Sequence, residues 1–288
     1  MGKNLIPFRW YGGKYSVLDF IIPNLPRTRR YVEPFGGSAV VLVNRKPSPI
    51  EVYNDIDKDI VTFFKVLREQ KDELLEQIAL TPFSREELRR AVEQENNDGL
   101  GEVEQARQFF VRVTQTRLAT AQQASEGRWA YSRSLSRREV AQNASRYYGR
   151  LKQLEPVAQR LMGVQIESRT AIDVIQEFDS EETLFYCDPP YPHGTRVDTS
   201  SYAYEMSDDE HQELADVLRE CEGKVAISGY QCDLYEELYE NHGWTRIDND
   251  EITTRSETNR RPESLWTNYD PPDRDTDIAA GQQSIDDY

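Results

Sequence analysis

The folding pattern is clearest in residues 31–57, which read YVEPFGGSAVVLVNRKPSPIEVYNDID. Residues 31–33 are typical of a short strand, and a glycine-containing turn follows them. Residues 38–44 have the apolar composition of a buried helix, and residues 50–53 alternate like a second strand. A strand, a turn, a helix and another strand in this order favour a parallel sheet covered by helices, as in α/β domains.

The same alternation continues on both sides of a long interruption. Residues 57–68 place apolar side chains at helical spacing, and residues 164–167 and 184–187 are typical of strands. Residues 207–210, SDDE, have the pattern of a capping box that opens a helix. Further elements are expected at 17–22 (helix), 224–228 (strand), 233–240 (helix), 244–247 (strand) and 265–268 (strand).

Residues 69–165 interrupt this rhythm with charged, Gln-rich helical stretches around a loop at 126–134. We therefore predict an α/β domain formed by residues 1–68 and 166–269, with a mostly helical domain over 69–165 inserted into it. Residues 270–288 are acidic and poor in large apolar side chains, so we expect a disordered tail. The α/β domain should be a Rossmann-like mixed sheet with helices on both faces and a ligand at the carboxyl ends of its strands.

The charge of the chain is unevenly distributed. The net charge is −16, yet residues 1–30 carry six basic and one acidic side chain, and residues 100–160 carry eleven and five. Residues 31–99 carry nine basic and fourteen acidic side chains, and residues 161–288 carry nine and thirty-one. Two positive segments in an acidic chain are typical of a protein that touches phosphates on one face. With 27 Arg and only 8 Lys, the acidic surface also suggests adaptation to salt.

Other features of the sequence argue against membrane, disulfide and metal-binding classes. The chain has no run of 18 apolar residues and no secretory signal pattern at its start, so we expect a cytoplasmic protein with no membrane association. Cys187, Cys221 and Cys232 show no paired spacing, and the three histidines are scattered. We expect reduced thiols and no metal.

The most informative motif is Asp188-Pro189-Pro190-Tyr191, directly after the strand at 184–187. Methyl transfer to an exocyclic amine requires that the nitrogen lone pair, delocalised into the ring, be freed to attack. Asp188 could accept one N–H and the Pro189 carbonyl the other, while Pro190 stiffens the backbone and Tyr191 offers an aromatic face to the base. The alternative is a strand followed by a proline turn, with Asp188 as a turn residue.

Two further motifs are typical of a nucleotide-like ligand site. Residues 33–38, EPFGGS, form a strand-to-helix turn whose glycines permit close approach of a ligand, although a tight turn without a ligand has the same pattern. Asp55 ends the second strand, where a carboxylate can bind ribose hydroxyls. It could instead cap the next helix, for which Asp57 is better placed.

Residues 9–14, RWYGGK, form the third motif. Lys14 could donate to a carboxylate such as that of a methionine moiety, and Trp10 could wall off a ligand pocket. A surface segment without function is the alternative.

These segments, in this order, resemble the Dam-like (alpha-type) adenine-N6 DNA methyltransferases, and the closing ESLW-x-NY at 263–269 belongs to the same resemblance. The resemblance implies a Rossmann-like methyltransferase fold that uses S-adenosylmethionine to methylate adenine in double-stranded DNA. It implies that the cofactor is contacted by Trp10, Lys14, Phe35, Gly37, Asp55, Asp173 and Asp188. Asp173 could instead cap a helix. Ala39 departs from the pattern, because a third glycine is expected there.

The inserted segment is then the expected target-recognition domain. Its loop mixes cations with aromatic rings, which suits phosphate contacts, base contacts and wedging into the base stack. The residues predicted to touch DNA are Arg128, Trp129, Tyr131 and Arg133, together with Arg196 in the loop 192–206. A solvated basic loop and a plain surface connection are the alternatives.

Several alternatives remain open at the level of function. Methylation of cytosine N4 or of an RNA base would use the same motif, and a non-catalytic DNA-binding relative would keep the same fold. A nicotinamide-dependent oxidoreductase would need a GxGxxG turn, which residues 36–38 do not supply. The resemblance also allows a cognate restriction nuclease as a partner, and it leaves the oligomeric state unassigned.

Overall fold

The computed structural model of the chain describes residues 4–95, 99–117, 124–132, 136–137, 140–192, 205–249 and 262–272. The strands are β1 Arg30–Glu33, β2 Ile50–Asn54, β3 Ser136–Arg137, β4 Val140–Ala141, β5 Val164–Glu167, β6 Thr183–Cys187, β7 Lys224–Tyr230, β8 Thr245–Asp248 and β9 Glu263–Thr267. The helices are α1 Leu18–Ile21, α2 Val40–Asn44, α3 Lys58–Glu69, α4 Lys71–Leu80, α5 Arg85–Glu93, α6 Glu102–Gln115, α7 Gln142–Leu161, α8 Ala171–Phe178, α9 Asp208–Glu220 and α10 Asp233–Leu238.

Seven strands form one mixed sheet in the order β5-β2-β1-β6-β7-β9-β8. The first five of these are parallel to one another, and β9 runs antiparallel to both β7 and β8. The Rossmann-like mixed sheet predicted from the sequence is therefore confirmed. Helices connect the parallel strands, so the carboxyl ends of β1, β2 and β6 meet at one edge.

Alternate residues of the central strands pack into cores on opposite faces of the sheet. Tyr31 and Leu184 face a core that includes residues of α1, α2, α3, α6 and α7. Val32 and Phe185, their neighbours along the strands, face a core that includes residues of α8, α9 and α10. Because both faces are covered, β6 is buried over its whole length and positions the residues that follow it rigidly.

Two helix starts follow the capping patterns predicted from the sequence. Asp57 caps α3 by accepting the N–H of Asp59, and Ser207 and Glu210 form the predicted capping box of α9. Three boundaries differ. The helix expected at 38–44 starts only at Val40, because the residue before it has a left-handed backbone. The stretch 17–22 forms the four-residue α1 between two 3₁₀ turns, and the helix expected at 233–240 ends at Leu238.

The segment 69–165 is mostly helical, as expected, and contains α4 to α7 and the β3–β4 hairpin. Phe109 of α6 and Leu154 of α7 belong to the same core as Phe63 of α3. A smaller separate cluster includes Leu88 and Val111. One side of this segment is thus built onto the sheet's helical layer, and its division as a separate domain stays a prediction. The predicted tail lies outside the described residues from 273 onward.

Among the helices that the structure describes, none combines the length and the apolar character needed to cross a membrane.

Candidate active site

A cavity of about 560 Å³ opens at the carboxyl ends of β1, β2 and β6. Its lining includes Glu33 at the end of β1, Asp55 directly after β2 and Asp188 directly after β6. The volume lies in the range of small-molecule and cofactor sites, about 300–1,000 Å³. Three carboxyl groups far apart in the sequence therefore share one ligand-sized space.

The glycine turn after β1 forms one wall of the cavity. The N–H of Gly36 donates to the Asn54 carbonyl at 2.8 Å, and the Tyr53 hydroxyl donates to the Gly37 carbonyl at 2.7 Å. A Cβ on Gly36 would lie 2.1 Å from Cε2 of Tyr53, a ring that is fully buried. Only glycine fits this position, because the turn is pressed against the neighbouring strand.

Ala39, where a third glycine was expected, has φ of 54° and ψ of 21°. The backbone thus keeps the left-handed conformation that glycine would favour, at a cost of about 1–2 kcal/mol for a residue with a Cβ. The methyl group is fully buried in the core. The tertiary packing therefore imposes a glycine-like backbone conformation on an alanine.

Asp55 is held by the turn it faces. Its carboxylate accepts the N–H of Gly37 and the N–H of Asp57, each at 2.8 Å. Burial raises the pKa of Asp55 to about 6, although these two N–H groups favour the ionised form. Since Asp57 caps α3, the alternative that Asp55 is the helix cap is wrong.

Asn54, the last residue of β2, connects the loops around the cavity. Its amide nitrogen donates to the carbonyls of Pro34 and Arg169, and its side-chain oxygen accepts the N–H of Arg169 at 2.9 Å. The side chain is fully buried. The loops after β1 and β5 are therefore fixed to the end of β2, which gives the cavity a rigid rim.

Lys14 reaches Asp188 from the N-terminal segment. The Nζ atom lies 2.7 Å from Asp188 Oδ1 and donates to the Gly12 carbonyl at 2.7 Å, and the lysine is only 3% exposed. Burial raises the pKa of Asp188, and the charge of Lys14 opposes this shift. Lys14 thus favours the carboxylate form of Asp188.

Tyr191 points away from the cavity lining. Its hydroxyl donates to Glu263 on β9, and its ring packs at right angles on Tyr230 with centroids 4.9 Å apart. Only 3% of the residue is exposed, and Lys14 Nζ lies 4.8 Å from the ring centroid. In this arrangement the ring is a packing partner of Lys14, and its predicted role as a face for the base stays a prediction.

The other predicted cofactor residues, Trp10, Phe35, Gly37 and Asp173, line the same cavity. Of the two prolines predicted to act in catalysis, Pro190 also lines it, whereas Pro189 is buried. Asp173 is in the first turn of α8, and Thr170 caps that helix by accepting the Asp173 N–H. Asp173 is therefore not the cap, and its side chain remains a candidate ligand contact.

The aromatic residues predicted to touch DNA lie together in the helical segment. Trp129 stacks on Tyr131 with centroids 5.7 Å apart, and the guanidinium of Arg85 lies 4.9 Å from the Trp129 ring. Trp129 also packs against the small cluster around Leu88, so it is only partly exposed. Arg128 ends the 3₁₀ turn before Trp129. The DNA contacts of these residues stay predictions.

Two predicted DNA contacts, Arg133 and Arg196, lie outside the described residues. Sequence reasoning also missed two groups near the cavity, Glu33 and Glu263. Tyr31 donates to Glu33 at 2.6 Å, and burial raises the pKa of Glu33 to about 8. Glu263 lies 3.7 Å from Lys14 Nζ. Both belonged to quoted motifs, but neither had a role, because a glutamate at a strand terminus has no distinctive pattern.

The strand order and the cavity at the ends of the parallel strands define a Rossmann-like methyltransferase fold. The family model of D12 class N6 adenine-specific DNA methyltransferases matches residues 10–254, which is most of the chain. The chain belongs to this family, and it is an adenine-specific DNA methyltransferase. The alternatives of cytosine N4, an RNA base or a non-catalytic relative are thereby set aside.

Individual relatives support the same assignment. The type II methyltransferase M.MjaIII of Methanocaldococcus jannaschii is 26% identical over 270 residues, which cover 84% of this chain and 90% of that protein. The DNA adenine methylase of Escherichia coli strain K12 is 34% identical over 76 residues, or 26% of this chain and 27% of that protein. The DNA adenine methylase of Vibrio cholerae is 37% identical over 70 residues, 24% of each chain.

Proposed function

We propose that the 560 Å³ cavity binds S-adenosylmethionine and that Asp188 holds the target adenine amine beside it. The observation that carries this proposal is the position of Asp188. It follows a fully buried strand, lines the cavity and is paired with Lys14. A carboxyl group at the tip of a rigid strand, with a lysine beside it that favours its ionised form, is suited to accept a hydrogen bond from an exocyclic amine.

The chemistry of the cavity walls fits the cofactor. Trp10 and Phe35 supply apolar surface for an uncharged ring system, and the Gly37 backbone lies close to Trp10, since a Cβ there would be 3.2 Å from Trp10 Cδ1. Asp55 offers carboxylate oxygens for ribose hydroxyls, and Asp173 lines the same space. When bound, S-adenosylmethionine supplies the methyl group as part of its sulfonium.

The chain's own residues would prepare the acceptor nitrogen. Asp188 accepts one N–H of the adenine amine, and the carbonyl of Pro189 accepts the other. Two acceptors at these positions pull the amine toward tetrahedral geometry, so its lone pair becomes available for in-line attack. Pro190 fixes the backbone that carries the carbonyl. The transfer is direct, because Cys187 is buried in β6 and is not placed as a nucleophile.

Lys14 has a positioning role in this scheme. Burial favours the protonated form of Asp188, which is the poorer hydrogen-bond acceptor. The ammonium of Lys14 favours the carboxylate instead. Glu263 lies on the other side of Lys14 and accepts the Tyr191 hydroxyl. These contacts hold the lysine, the tyrosine and Asp188 in one arrangement.

The substrate in this proposal is double-stranded DNA from which the target adenine is rotated out of the stack. The segment 69–165 would act as the target-recognition domain, with Arg128, Trp129 and Tyr131 near the duplex. A cytoplasmic, DNA-associated location follows from such a substrate. The proposed partner is a restriction nuclease that cleaves the same DNA sequence when it is unmethylated. Methylation by this enzyme would protect the DNA from that nuclease.

The decisive experiment compares Asp188→Ala with wild type on plasmid DNA, followed by digestion to nucleosides and quantification of N6-methyladenine. We expect Asp188→Ala to abolish methyl transfer while its duplex Kd stays within a few-fold of wild type. Asp72→Ala is the matched control, because that side chain is 95% exposed on α4. Full turnover by Asp188→Ala would refute the role of this carboxylate, and N4-methylcytosine as the product would refute the adenine assignment.

A further inference from the structure

A second cavity, of about 200 Å³, lies between the N-terminal segment, the end of α6 and the middle of α7. Four arginines line it, and we call it the arginine cleft: Arg9, Arg117, Arg146 and Arg150. Its lining contains no aspartate or glutamate among the described residues. Four cations around a small space without a balancing carboxylate make this cleft strongly attractive to an anion.

Among the described residues, the cleft arginines differ from most other arginines in having no carboxylate partner. Arg89, Arg107 and Arg160 each form an ion pair with a glutamate. Within the described residues, no carboxylate lies within ion-pair distance of a cleft arginine. The positive charge of the cleft is therefore not neutralised by the described part of the chain.

Arg150 is the least exposed of the four cleft arginines. Its Nη1 atom is buried and has no hydrogen-bond partner among the described residues. Burial, together with the charges of Arg9 and Arg146, lowers the pKa of Arg150 to about 10. A buried guanidinium donor without an acceptor costs free energy that a bound anion would recover.

The geometry of the cleft favours a phosphate group. Guanidinium groups donate in pairs to phosphate oxygens, and several arginines can share one phosphodiester. Arg117 is additionally oriented by Tyr131, whose ring centroid lies 5.0 Å from the guanidinium carbon. At about 200 Å³, the volume of the cleft suits a hydrated phosphate group better than a whole nucleoside.

The cleft also lies next to the candidate active site. Arg9 lines the cleft, and Trp10, the next residue, lines the 560 Å³ cavity. The four arginines come from the two positive segments of the sequence, residues 1–30 and 100–160. A DNA strand that delivers a base to the cavity would therefore carry its backbone past the cleft.

We propose that the arginine cleft binds a backbone phosphate of the DNA duplex close to the flipped nucleotide, with the buried Nη1 of Arg150 as its innermost donor. This inference rests on the proposed function, which brings duplex DNA to the neighbouring cavity. The phosphate contact positions the strand and contributes no base specificity, since every nucleotide carries the same phosphate.

The test measures duplex binding by Arg150→Met, which keeps an apolar stem but removes the charge. Fluorescence anisotropy with a labelled duplex oligonucleotide gives Kd between ~50 and ~300 mM salt. We expect binding at least about tenfold weaker than wild type, because a charge-assisted contact is lost. The slope of log Kd against log salt should fall by about one for a lost phosphate contact.

Thermal unfolding of Arg150→Met separates phosphate binding from a structural role, which would lower Tm. Because the Nη1 atom of Arg150 is buried without a hydrogen-bond partner in the described part of the chain, we expect Arg150→Met to leave Tm unchanged or raise it while duplex binding falls. Arg146→Gln, at an exposed position of the cleft, should weaken binding in the same direction even if Arg150→Met fails to fold. Arg89→Gln is the charge-matched control, because Arg89 is already paired with Glu86 and Glu93.

Unchanged Kd and salt slope in both cleft variants would overturn the proposal, as would an equal loss in Arg89→Gln. Cofactor affinity should stay at the wild-type value, measured by titration with S-adenosylhomocysteine. A wild-type chain that binds duplex through the cleft but transfers no methyl group would refute the proposed function and leave the cleft assignment standing. Cleft variants that transfer methyl groups and bind duplex with the wild-type Kd would refute the cleft assignment and leave the proposed function standing.

Discussion

Lys14 and Asp188 form an ion pair with 2.7 Å between Nζ and Oδ1, although 173 positions separate them in the sequence and the lysine is almost fully buried. Burying a charge without a partner is costly, so each residue of this pair depends on the other. The pair joins the N-terminal segment to the end of β6. Lys14 also favours the carboxylate form of Asp188 next to the cavity, and the consequences of the pair can be measured.

Removing the lysine should move the pH dependence of catalysis. In Lys14→Met, Asp188 loses the charge that opposes its burial, so its pKa rises further and the acid limb of the rate profile shifts to higher pH. We expect single-turnover rates at pH 7 to fall about 100-fold, with partial recovery toward pH 9. Lys65→Met, at an exposed position on α3, is the control. An unshifted pH–rate profile in Lys14→Met would show that Lys14 does not influence the ionisation of Asp188.

Cofactor binding should weaken in acid through Asp55. The pKa of Asp55 is raised to about 6, so its carboxylate, the form proposed to accept the ribose hydroxyls, is lost as pH falls below that value. Titration with S-adenosylhomocysteine from pH 8 to pH 5 should show a rising Kd in wild type. Asp55→Asn should bind more weakly at pH 8 and vary little with pH. Equal pH dependence in both proteins would contradict the assignment.

Glu33 should make the fold less stable in alkali. Its pKa in the folded chain is raised to about 8 from 4.5, mainly by burial, so the folded state holds a proton that the unfolded state releases. The resulting stabilisation is complete below about pH 4.5 and is lost as pH rises through 8. Glu33→Gln should therefore gain Tm relative to wild type between pH 6 and pH 9. Glu182→Gln, which is exposed, should show no such trend.

The glycine turn should tolerate no side chain at residue 36. Gly36→Ala places a methyl group against the buried Tyr53 ring, and overpacking of this kind costs about 1–3 kcal/mol. Gly149→Ala in α7 is the matched control, because nothing lies within 4 Å of the added Cβ. That change should stabilise the helix by about 0.5–1 kcal/mol. Urea unfolding of both variants measures the two effects, and equal shifts would contradict the packing account.

Much of the architecture could be predicted from local pattern alone. The β5 strand at 164–167 was predicted with its exact ends, and the caps at Asp57 and Ser207 were identified correctly. These signals depend on neighbouring residues, which the sequence displays directly. The helix start at Val40 was missed, because the left-handed conformation of Ala39 is imposed by packing and not by its own preference.

The site was predicted less completely than the fold. Motif residues such as Asp55 and Asp188 were found because each follows a buried strand and has a characteristic neighbourhood. Their partners were not found. Glu263 has no distinctive local pattern, and the pairing of Lys14 with Asp188 was not foreseen, while its contact with a methionine carboxylate stays a prediction. A motif identifies which groups gather at a site, whereas distances between them depend on how the segments pack.

The sequence by itself determined the alternating α/β pattern, the motifs that follow the strands and the two positive segments at residues 1–30 and 100–160. The tertiary structure alone decided that arginines from both positive segments surround one small cleft, and that Lys14 meets Asp188. The physical reason is the distance along the chain over which each kind of interaction acts. Propensity, periodicity and capping act between residues a few positions apart, while burial and charge pairing act between any residues that the packed chain brings within a few ångströms.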